Sequence, residues 1–432
     1  MKTFLTILII LISIGSAFSQ WIKQSSPTQK DLYDIRFLEN RGVIVGDSVI
    51  LTSNDSGNTW FSQNLPYGLE RCSFQDKDTV WAVGVTLNTP KYKPAVLKST
   101  DSGNSWEYIL IADTSTFRGF TQAVNFYDKM HGWIGGWESR NSGFIFKTAN
   151  GGQTWEKVNI DSADISEISF VDTLNGWASS WNGRVFNTTD GGNSWNLNTI
   201  ITISGTSYEP MRRIFFTTKD SGWTAGGIAG DQTIARTTDG GMNWIIDNQS
   251  TFGSSLHGLF FIDSKHGWTV GGANAGLKIL HTTDGGINWS LQTQPYPVAG
   301  SIFYFESVYM FDLNNGFVVG DSGAILKTTN GNEITAVNNN LSNPSANFEL
   351  FQNYPNPFNP STKISYNLPS GSFVTLAIYD NLGRKIITLV NNYQNAGLHS
   401  VTFEGKDLPS GIYYYKLKVG DFRQTKKLIL LK

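Results

Sequence analysis

Residues 189–195 read Thr-Asp-Gly-Gly-Asn-Ser-Trp, and close copies of this pattern return along the first three quarters of the chain. The six complete copies end in tryptophans that lie 46, 49, 40, 49 and 45 residues apart: Trp60, Trp106, Trp155, Trp195, Trp244 and Trp289. A seventh copy begins at Thr328 and stops at Gly331, before its tryptophan. A repeat of this period is typical of a propeller or solenoid, in which each copy belongs to one structural unit.

A second motif, a turn followed by an aromatic or apolar residue, also occurs once in each period. Its seven copies are Gly42-Val43, Val80-Trp81, Gly132-Trp133, Gly176-Trp177, Gly222-Trp223, Gly267-Trp268 and Gly316-Phe317. Polar and apolar residues alternate between these turns, as in residues 165–170, which indicates short strands. Four such strands in 40–50 residues predict one blade, so residues 20–332 are predicted to form an all-β, seven-bladed β-propeller.

The missing seventh tryptophan predicts how the ring closes. Residues Gln20-Trp21-Ile22-Lys23 resemble the strand that follows the motif elsewhere, as in Trp106-Glu107-Tyr108-Ile109. We therefore expect the N-terminal strand to complete the last blade. Closure removes the unpaired strand edges that an open array would expose.

The acidic or amide residue of the motif is interpreted as structural in all six copies: Asp55, Asp101, Asn150, Asp190, Asp239 and Asp284. An aspartate in a turn accepts hydrogen bonds from that same turn, glycine supplies a positive φ, and tryptophan packs beneath. Metal binding by these side chains is not expected, because residues placed one per blade do not converge on one ion.

The Asp-x-Gly-x-Thr-Trp pattern resembles the Asp-box of the BNR-type repeat. With seven periods and Gly-Trp turns, residues 20–332 resemble the photosystem assembly factor-like propellers of many secreted bacterial proteins. This resemblance implies a fold and no particular activity. Sialidases also carry Asp-boxes, but a sialidase resemblance implies six blades, an Arg-Ile-Pro-type start and a Tyr/Glu nucleophile pair, whereas this chain has seven periods and reads Asp34-Ile35-Arg36-Phe37.

The sequence changes character after Asn332. Residues 333–346 are polar and aperiodic, which predicts a linker. Residues 347–432 combine proline-rich turns with alternating patterns, which predict a small β-sandwich. Residues 345–432 hold ten Lys and Arg against five Asp and Glu, a net charge of +5 that leaves −7 on the rest of the chain.

Residues 347–432 closely resemble the type A C-terminal sorting domain of the type IX secretion system. The resemblance is carried by Asn353, Pro355, Asn356, Pro357, Phe358, Asn359, Pro360, Gly383, Arg384, Gly411, Lys426 and Lys427. It implies passage through the periplasm and outer membrane, recognition by the translocon and its sorting protease, and a secreted or cell-surface product. A carbohydrate-binding sandwich is the alternative for this segment.

The first 19 residues have the pattern of a secretory signal peptide. Lys2 precedes an apolar run from Phe4 to Ile14, and small residues lead to an expected cleavage site after Ser19. The apolar core of about 11 residues is shorter than the roughly 20 that a membrane span needs. We therefore expect no transmembrane segment in the mature chain.

Composition excludes several classes of function. Charged residues make up 16% of the 432 residues and aromatic residues 13%, with a formal net charge of −2. A disordered chain would be richer in charge and poorer in aromatics, and a nucleic-acid-binding protein would have a basic surplus. Cys72 is the only cysteine and is expected in the core. No metal-ligand spacing or phosphate loop is present, so no metal or cofactor is predicted.

The first strands of the seven periods align polar residues where each strand would enter the central channel: Tyr33, Glu70, Gln122, Ser166, Arg212, His257 and Glu306. A solvated rim is one interpretation. Long loops and loop aromatics on the same face favour a binding surface for an extracellular protein or glycan; these aromatics are Tyr92, Trp137, Tyr208, Tyr296 and Tyr304.

We therefore predict a non-catalytic binding scaffold rather than an enzyme. The alternative is a glycoside hydrolase that uses carboxylates in the channel, with Glu70, Glu167 and Glu306 as candidates. Assistance in assembling a membrane complex is a third hypothesis, which rests on the analogy of fold alone.

Overall fold

The computed structural model describes residues 20–87, 93–112, 119–203, 207–208, 210–228, 231–247, 255–272, 276–296, 304–332, 348–351, 353, 356–368, 371–394, 397–406, 408–420 and 422–431. The chain divides into two compact units, Met1–Val337 and Asn338–Lys432. The predicted signal peptide and linker lie outside the described residues, as do Pro355 and Tyr92.

The first unit is a ring of antiparallel sheets. Blades 1 and 2 share one six-stranded sheet because a single long strand, β4, connects them. The strands of this sheet are β2 (Leu32–Leu38), β3 (Arg41–Ser53), β4 (Phe61–Phe74), β5 (Val80–Thr86), β6 (Pro94–Ser99) and β7 (Glu107–Tyr108). Strand β4 is both the last strand of blade 1 and the first of blade 2, since it pairs with β3 and then with β5.

Blades 3 and 4 are separate four-stranded sheets: β8 (Phe120–Phe126), β9 (Gly132–Ser139), β10 (Ser142–Thr148) and β11 (Glu156–Asp161), then β12 (Ile165–Phe170), β13 (Gly176–Ser180), β14 (Arg184–Thr188) and β15 (Asn196–Ile200). A hairpin of β16 (Thr202–Ile203) and β17 (Ser207–Tyr208) precedes blade 5. Each of these two blades pairs its strands in chain order, as expected for a propeller.

Blades 5 and 6 repeat this arrangement: β18 (Met211–Phe216), β19 (Gly222–Ile228), β20 (Asp231–Thr237) and β21 (Ile245–Asp247), then β22 (Ser255–Phe261), β23 (Gly267–Gly272), β24 (Lys278–Thr282) and β25 (Ser290–Leu291). Blade 7 consists of β26 (Phe305–Met310), β27 (Gly316–Gly320), β28 (Ala324–Thr328) and the N-terminal β1 (Ile22–Lys23). The predicted all-β, seven-bladed fold is confirmed.

The N-terminal strand closes the ring as predicted. Ile22 pairs with Lys327 and Lys23 with Leu326. Trp21 is fully buried in the cluster between blades 6 and 7, and its Nε1 donates to Gln292 Oε1 at 2.8 Å. The N-terminal segment therefore supplies the tryptophan that the seventh motif lacks.

Neighbouring blades are joined by aromatic stacking that follows the repeat. The Gly-Trp tryptophan of one blade stacks on the phenylalanine that ends the first strand of the next, with ring centroids 3.4 Å apart for Trp133 and Phe170 and 3.7 Å apart for Trp177 and Phe216. Trp133 also donates to the Gly191 carbonyl at 3.0 Å. The described residues form seven apolar clusters, one between each pair of adjacent blades, and Cys72 is buried in the cluster between blades 1 and 2.

The repeated turn has the same hydrogen bonds in copy after copy. Asp190 accepts from Thr188 Oγ1 at 2.7 Å, Ser194 N at 3.0 Å and Ser194 Oγ at 2.6 Å. Those bonds lower the pKa of Asp190 to about 2. Asn150 accepts from Thr148 and Thr154 in the same way. These side chains act within their own turns, and the tryptophans that follow lie against the interblade aromatics.

The second unit consists of a three-stranded and a four-stranded sheet around one core. The strands are β29 (Glu349–Leu350), β30 (Ser361–Leu368), β31 (Ser372–Tyr379), β32 (Lys385–Gln394), β33 (Gly397–Glu404), β34 (Gly411–Val419) and β35 (Phe422–Leu430), in the orders β29-β30-β33 and β32-β31-β34-β35. Alternate residues of these strands face inward, and the shared core includes Ile364, Tyr366, Leu376 and Tyr415. The predicted small β-sandwich is confirmed.

Several residues of the predicted sorting motif connect the start of this unit to its last strand. Asn356 Oδ1 accepts from Ile429 N at 2.8 Å, and Phe358 exchanges backbone bonds with Ile429 and Leu431. Asn353 is buried and donates its backbone N–H to Tyr415 Oη at 2.8 Å. Pro357, Asn359 and Pro360 complete the turn before β30, and Lys426 and Lys427 lie in β35.

The other predicted motif positions lie at strand ends. Gly383 adopts a φ of 78° in the turn between β31 and β32, and Arg384 donates to Asp380 Oδ2 at 2.6 Å across that turn. Gly411 begins β34. This geometry gives the motif a structural basis, because the residues stabilise turns and the pairing of the last strand.

Candidate functional site

The first strand of every blade contains a β-bulge at the aligned polar residue. In β4, Leu69 pairs with Gly84 and Arg71 with Val83, so that Glu70 has no partner in the ladder. The same one-residue shift skips the aligned residue in the other six blades: Tyr33, Gln122, Ser166, Arg212, His257 and Glu306. A bulge redirects a side chain and is common beside functional sites.

A glycine on the second strand, opposite the bulge, leaves the space that the bulged backbone occupies. A Cβ added at Gly84 would collide with the Gly68 carbonyl oxygen, because the bulged strand bends towards that residue. Glycines stand at the equivalent position in six blades, and Ser180 replaces glycine in blade 4: Gly46, Gly84, Gly136, Gly226, Gly271 and Gly320. This glycine within the second strand is therefore the sequence signal of the bulge in six of the seven blades.

Immediately after the bulge residues, charged side chains seal the channel. This charged hub consists of Asp34, Arg36, Arg71, Glu167 and Arg213. Arg213 lies 2.7 Å from Glu167 and 3.7 Å from Asp34, while Arg71 lies 3.1 Å from Glu167. Arg213 also donates to the backbone carbonyls of His257 and Glu306, at 2.6 and 3.0 Å. The hub thus ties the first strands of five blades to one guanidinium.

Asp34, Glu167 and Arg213 are buried in the hub, whereas the side chain of Arg36 is 30% exposed. Burial opposes ionisation of Asp34, but Arg36, Arg213 and Arg71 hold its pKa below the ordinary value. Burial, with Arg71 nearby, lowers the pKa of Arg213 to about 10, which leaves it cationic at neutral pH. Because Glu167 Oε2 is shared by two arginines, this carboxylate acts within the hub, and the structure argues against Glu167 as the catalytic acid or base considered from sequence.

Above the hub lies a cavity of about 40 Å³ that collects most of the bulge residues. Its lining consists of Glu70, Arg71, Gln122, Ser166, Trp181, Arg212, His257 and Glu306. Six of the seven aligned positions therefore meet in one place. Tyr33 does not line the cavity, although Glu70 and Glu306 lie close enough to it to raise its pKa, together with burial.

One side of this channel entrance is held by aromatic residues. Gln122 Oε1 accepts from Trp181 Nε1 at 2.8 Å and from Trp137 Nε1 at 3.2 Å. The guanidinium of Arg212 lies over the Trp181 ring at 4.4 Å, and its Nε, although buried, has no hydrogen-bond partner among the described residues. A guanidinium held in place by stacking therefore presents an unmet donor at this site.

The other side contains a chain of hydrogen bonds. His257 Nδ1 lies 2.9 Å from Glu306 Oε2, and His257 Nε2 lies 2.8 Å from Ser255 Oγ. Burial and the nearby arginines lower the pKa of His257, although Glu306 opposes them, so the ring is neutral near pH 7. Nδ1–H then donates to Glu306, and Ser255 donates to Nε2. Ser255 is 3% exposed and does not line the cavity, so this chain orients Glu306.

The two glutamates of the entrance have opposite pKa shifts. Burial raises the pKa of Glu70; Arg71 opposes this shift, and Glu306 adds to it. Burial acts in the same sense on Glu306, but the hydrogen bond from His257, and Arg212, hold its pKa below the ordinary value. Such a difference suits an acid and a base. The cavity is nevertheless far smaller than the roughly 300–1,000 Å³ of small-molecule sites.

The remaining aromatic residues predicted on this face have varied positions. Tyr304 stacks on His257 with centroids 4.6 Å apart, and Trp137 stacks on Phe120 at 4.2 Å. Lys23 Nζ lies 4.0 Å from the ring centroid of Tyr296, and Tyr296 packs against the apolar cluster between blades 6 and 7. The side chain of Tyr208 lies outside the described residues.

Two family models match separate parts of the chain. Residues 15–115 and 246–344 match the model for photosynthesis system II assembly factor YCF48. Residues 352–431 match the secretion system C-terminal sorting domain. The chain joins a Ycf48-like propeller to a secretion sorting domain. The sorting domain supports a secreted or cell-surface location, as the resemblance implied.

Curated relatives match over a short stretch. The photosystem II assembly lipoprotein Ycf48 of Nostoc sp. (strain PCC 7120) is 35% identical over 82 residues, which is 17% of this chain and 24% of the relative. Its counterpart in Trichormus variabilis is 34% identical over the same length. The match therefore spans about a quarter of these relatives.

Solved structures support the fold of the Ycf48-like propeller over a longer range. A structure described as YCF48 bound to D1 peptide has 21% identity and a TM-score of 0.56, covering 72% of this chain and 96% of that one. YCF48 from Cyanidioschyzon merolae has 22% identity and a TM-score of 0.55, covering 71% and 98%. At this identity the comparison shows the shared architecture.

Metal-binding groups and membrane-spanning helices were sought in the parts of the chain that the structure describes. Within those parts, His, Cys, Asp and Glu do not form a group of three or more that could hold a metal ion. The same residues include no helix with the length and apolar character needed to cross a membrane.

Proposed function

We propose that this protein is a secreted, non-catalytic binding module whose channel entrance captures a segment of an extracellular protein. The observation that carries the proposal is the set of seven bulges, because six of the seven bulge residues line one cavity above the charged hub. A bulge in every blade costs ladder hydrogen bonds, and a rigid ring can present the redirected side chains without rearrangement.

A peptide segment is favoured over a free small molecule because of size. The cavity of about 40 Å³ admits the tip of a side chain rather than a whole ligand. The similar fold described as YCF48 bound to D1 peptide supports peptide binding by a propeller of this type. A surface glycan remains the other class of ligand, since aromatic and polar groups also suit sugars.

We also propose that the C-terminal unit brings the module to the cell surface or the medium through the type IX secretion system, with the translocon and its sorting protease as partners. The match to the sorting domain over residues 352–431 supports this role. Replacing Lys426–Lys432 by a stop should leave the propeller folded but held in the periplasm. Normal surface display of the truncated protein would contradict this role.

The binding role can be tested on arrays of defined peptides and glycans. The full chain without residues 1–19 is compared with Arg212→Ala and with Glu156→Gln, a control in which the altered side chain is 72% exposed and does not line the entrance cavity. We expect peptide binding that Arg212→Ala loses and Glu156→Gln keeps. Retention of glycans alone would replace the peptide by a glycan, and equal binding by all three proteins would refute the entrance as the site.

Glycoside hydrolysis is a second candidate because Glu70 and Glu306 line one cavity and have opposite pKa shifts. It requires a sugar ring to reach both carboxyl groups. Aryl glycosides incubated with the wild-type protein and with Glu70→Gln measure this directly. Turnover that Glu70→Gln abolishes would establish an enzyme in place of a non-catalytic module.

A further inference from the structure

We propose that the cavity at the channel entrance is a specificity pocket for a carboxamide group, the end of a glutamine or asparagine side chain in a bound peptide. This inference rests on the proposed function, because it names the group that the captured segment inserts. It depends on three properties of the cavity: its size, its unmet hydrogen-bonding groups and its balanced charge.

Size limits the ligand to a few non-hydrogen atoms. A cavity needs about 10–15 Å³ to hold one water molecule, and this one has about 40 Å³. The charged hub closes the floor, where Arg71 and Glu167 form an ion pair at 3.1 Å. An inserted group is therefore small, and it stops at the level of the bulge residues.

The residues that line the cavity on the side of blades 3 to 5 carry hydrogen-bond donors, namely the Arg212 guanidinium and the Gln122 amide. Arg212 Nε has no partner among the described residues, and stacking on Trp181 restrains the guanidinium. Two indole N–H groups donate to one atom of Gln122, which identifies that atom as the amide oxygen. The amide nitrogen of Gln122 is left to donate, so a ligand must supply an acceptor here.

Hydrogen-bond acceptors from blades 2 and 7 face the donors of Arg212 and Gln122. No hydrogen bond or ion pair engages the side chain of Glu70 within the described residues, and only one oxygen of Glu306 is used, by His257. Since His257 is itself held by Ser255 and stacked on Tyr304, the second oxygen of Glu306 has a fixed direction. A ligand must therefore also supply donors.

The charges around the cavity distinguish among the ligand groups that could both accept and donate hydrogen bonds. An ammonium group would approach Arg212 and Arg71, and a carboxylate would approach Glu70 and Glu306, so each meets a like charge. A hydroxyl group is neutral but has one donor for two carboxylates. A carboxamide is neutral, with two N–H donors and an acceptor oxygen at opposite edges. Buried groups left unpaired lose affinity, which makes such a pocket selective.

The test uses peptides in which only the central residue is controlled. Nine-residue sublibraries carry Gln, Asn, Glu, Asp, Lys, Ser or Ala at position 5, with mixtures elsewhere, an acetylated N-terminus and a C-terminal N-methylamide. These ends offer neither charge nor a primary amide. Retention on the immobilised full chain without residues 1–19 should be about tenfold higher for Gln or Asn than for Glu and Lys.

Two variants separate recognition from folding. Glu70→Gln has the same shape but can donate to a carboxylate, so we expect the preference for Gln over Glu to fall below about threefold. Arg212→Ala should lose the amide preference altogether. Glu156→Gln removes a charge outside the cavity and should behave as the wild type. Unchanged thermal unfolding of all three variants verifies that the ring is intact.

The outcomes distinguish this inference from the function on which it rests. Retention of peptides without preference at position 5, or a preference for Lys or Glu, overturns the carboxamide pocket and leaves the peptide-binding module standing. An amide preference that Glu70→Gln does not weaken also overturns it, because the cavity would not be its origin. Failure of every sublibrary to bind rejects the peptide-binding function itself.

Discussion

The two ends of each blade's first strand differ in a way that separates folding from function. At one end the seven blades are nearly uniform and place an aromatic residue or methionine against the neighbouring blade: Phe37, Phe74, Phe126, Phe170, Phe216, Phe261 and Met310. At the bulge, four residues earlier in every blade, the residues are Tyr, Glu, Gln, Ser, Arg, His and Glu. Copies of a repeat within one chain share what the ring requires, so variation at one fixed position indicates a surface adapted to a ligand.

This comparison predicts that changes on the uniform side alter stability and that changes at the bulges alter binding. The largest effect is expected at ring closure. Trp21→Ala removes a fully buried indole and its bond to Gln292, and such truncations cost about 3–5 kcal/mol. Urea unfolding measures the loss, with Ile22→Ala as the control because Ile22 is 53% exposed. A loss below about 1 kcal/mol for Trp21→Ala would mean that the closing strand is dispensable.

A smaller effect is expected at a repeated turn. Asp190→Ala removes three accepted hydrogen bonds and should cost about 1–2 kcal/mol. Asp190→Asn should cost less than about 0.5 kcal/mol, because Asn150 makes equivalent bonds in blade 3. Thermal unfolding of the two variants provides the measurement. Equal losses would show that the charge, rather than the hydrogen bonds, stabilises the turn.

Acid should weaken the ring through these same turns. Hydrogen bonds from Thr59 lower the pKa of Asp55 to about 2, and those from Ser194 do so for Asp190. An unfolded chain binds protons at these residues at a higher pH than the folded chain, so this stability is present above about pH 4 and is lost as the pH falls towards 2. Unfolding followed from pH 5 to 2 should be less pH-dependent in the double variant Asp55→Asn/Asp190→Asn. An unchanged slope would assign acid sensitivity to other groups.

The smallest effect on stability is expected at the entrance. Arg212 makes a stacking contact with Trp181 but has an unpaired Nε, so Arg212→Ala should change the free energy of unfolding by less than about 1 kcal/mol. The same variant should abolish peptide capture. A loss of several kcal/mol would place Arg212 with the structural residues and weaken the distinction between the two ends of the strand.

The fold could be predicted from sequence because its signals are local and repeated. Turn residues, alternation and a constant period each specify a blade, and the absent seventh tryptophan indicated where Trp21 lies. Aligning the first strands also identified the bulge positions, since a residue shared by all blades must have the same place in each of them.

The charged hub and part of the cavity lining could not be predicted, because they depend on contacts between blades that the sequence repeat does not encode. A strand alternates its side chains, so a residue next to Glu70 is expected to face away from the channel; the bulge cancels that alternation and brings Arg71 inward as well. Asp34, Glu167 and Arg213 enter the hub for the same reason. Trp181 was not predicted at the site because it follows β13, outside the aligned strand, and reaches the cavity through its bond to Gln122.

The closing strand also determines when the ring is finished during synthesis. Ile22 pairs with Lys327, so about 300 further residues must be synthesised before the first strand can pair. Once β28 has been made, and until β1 pairs with it, β28 presents an open edge to any other strand nearby. A chain interrupted before residue 324 lacks that partner altogether. Completion of blade 7 thus requires both ends of the propeller sequence, so only a chain that contains the whole propeller can close the ring.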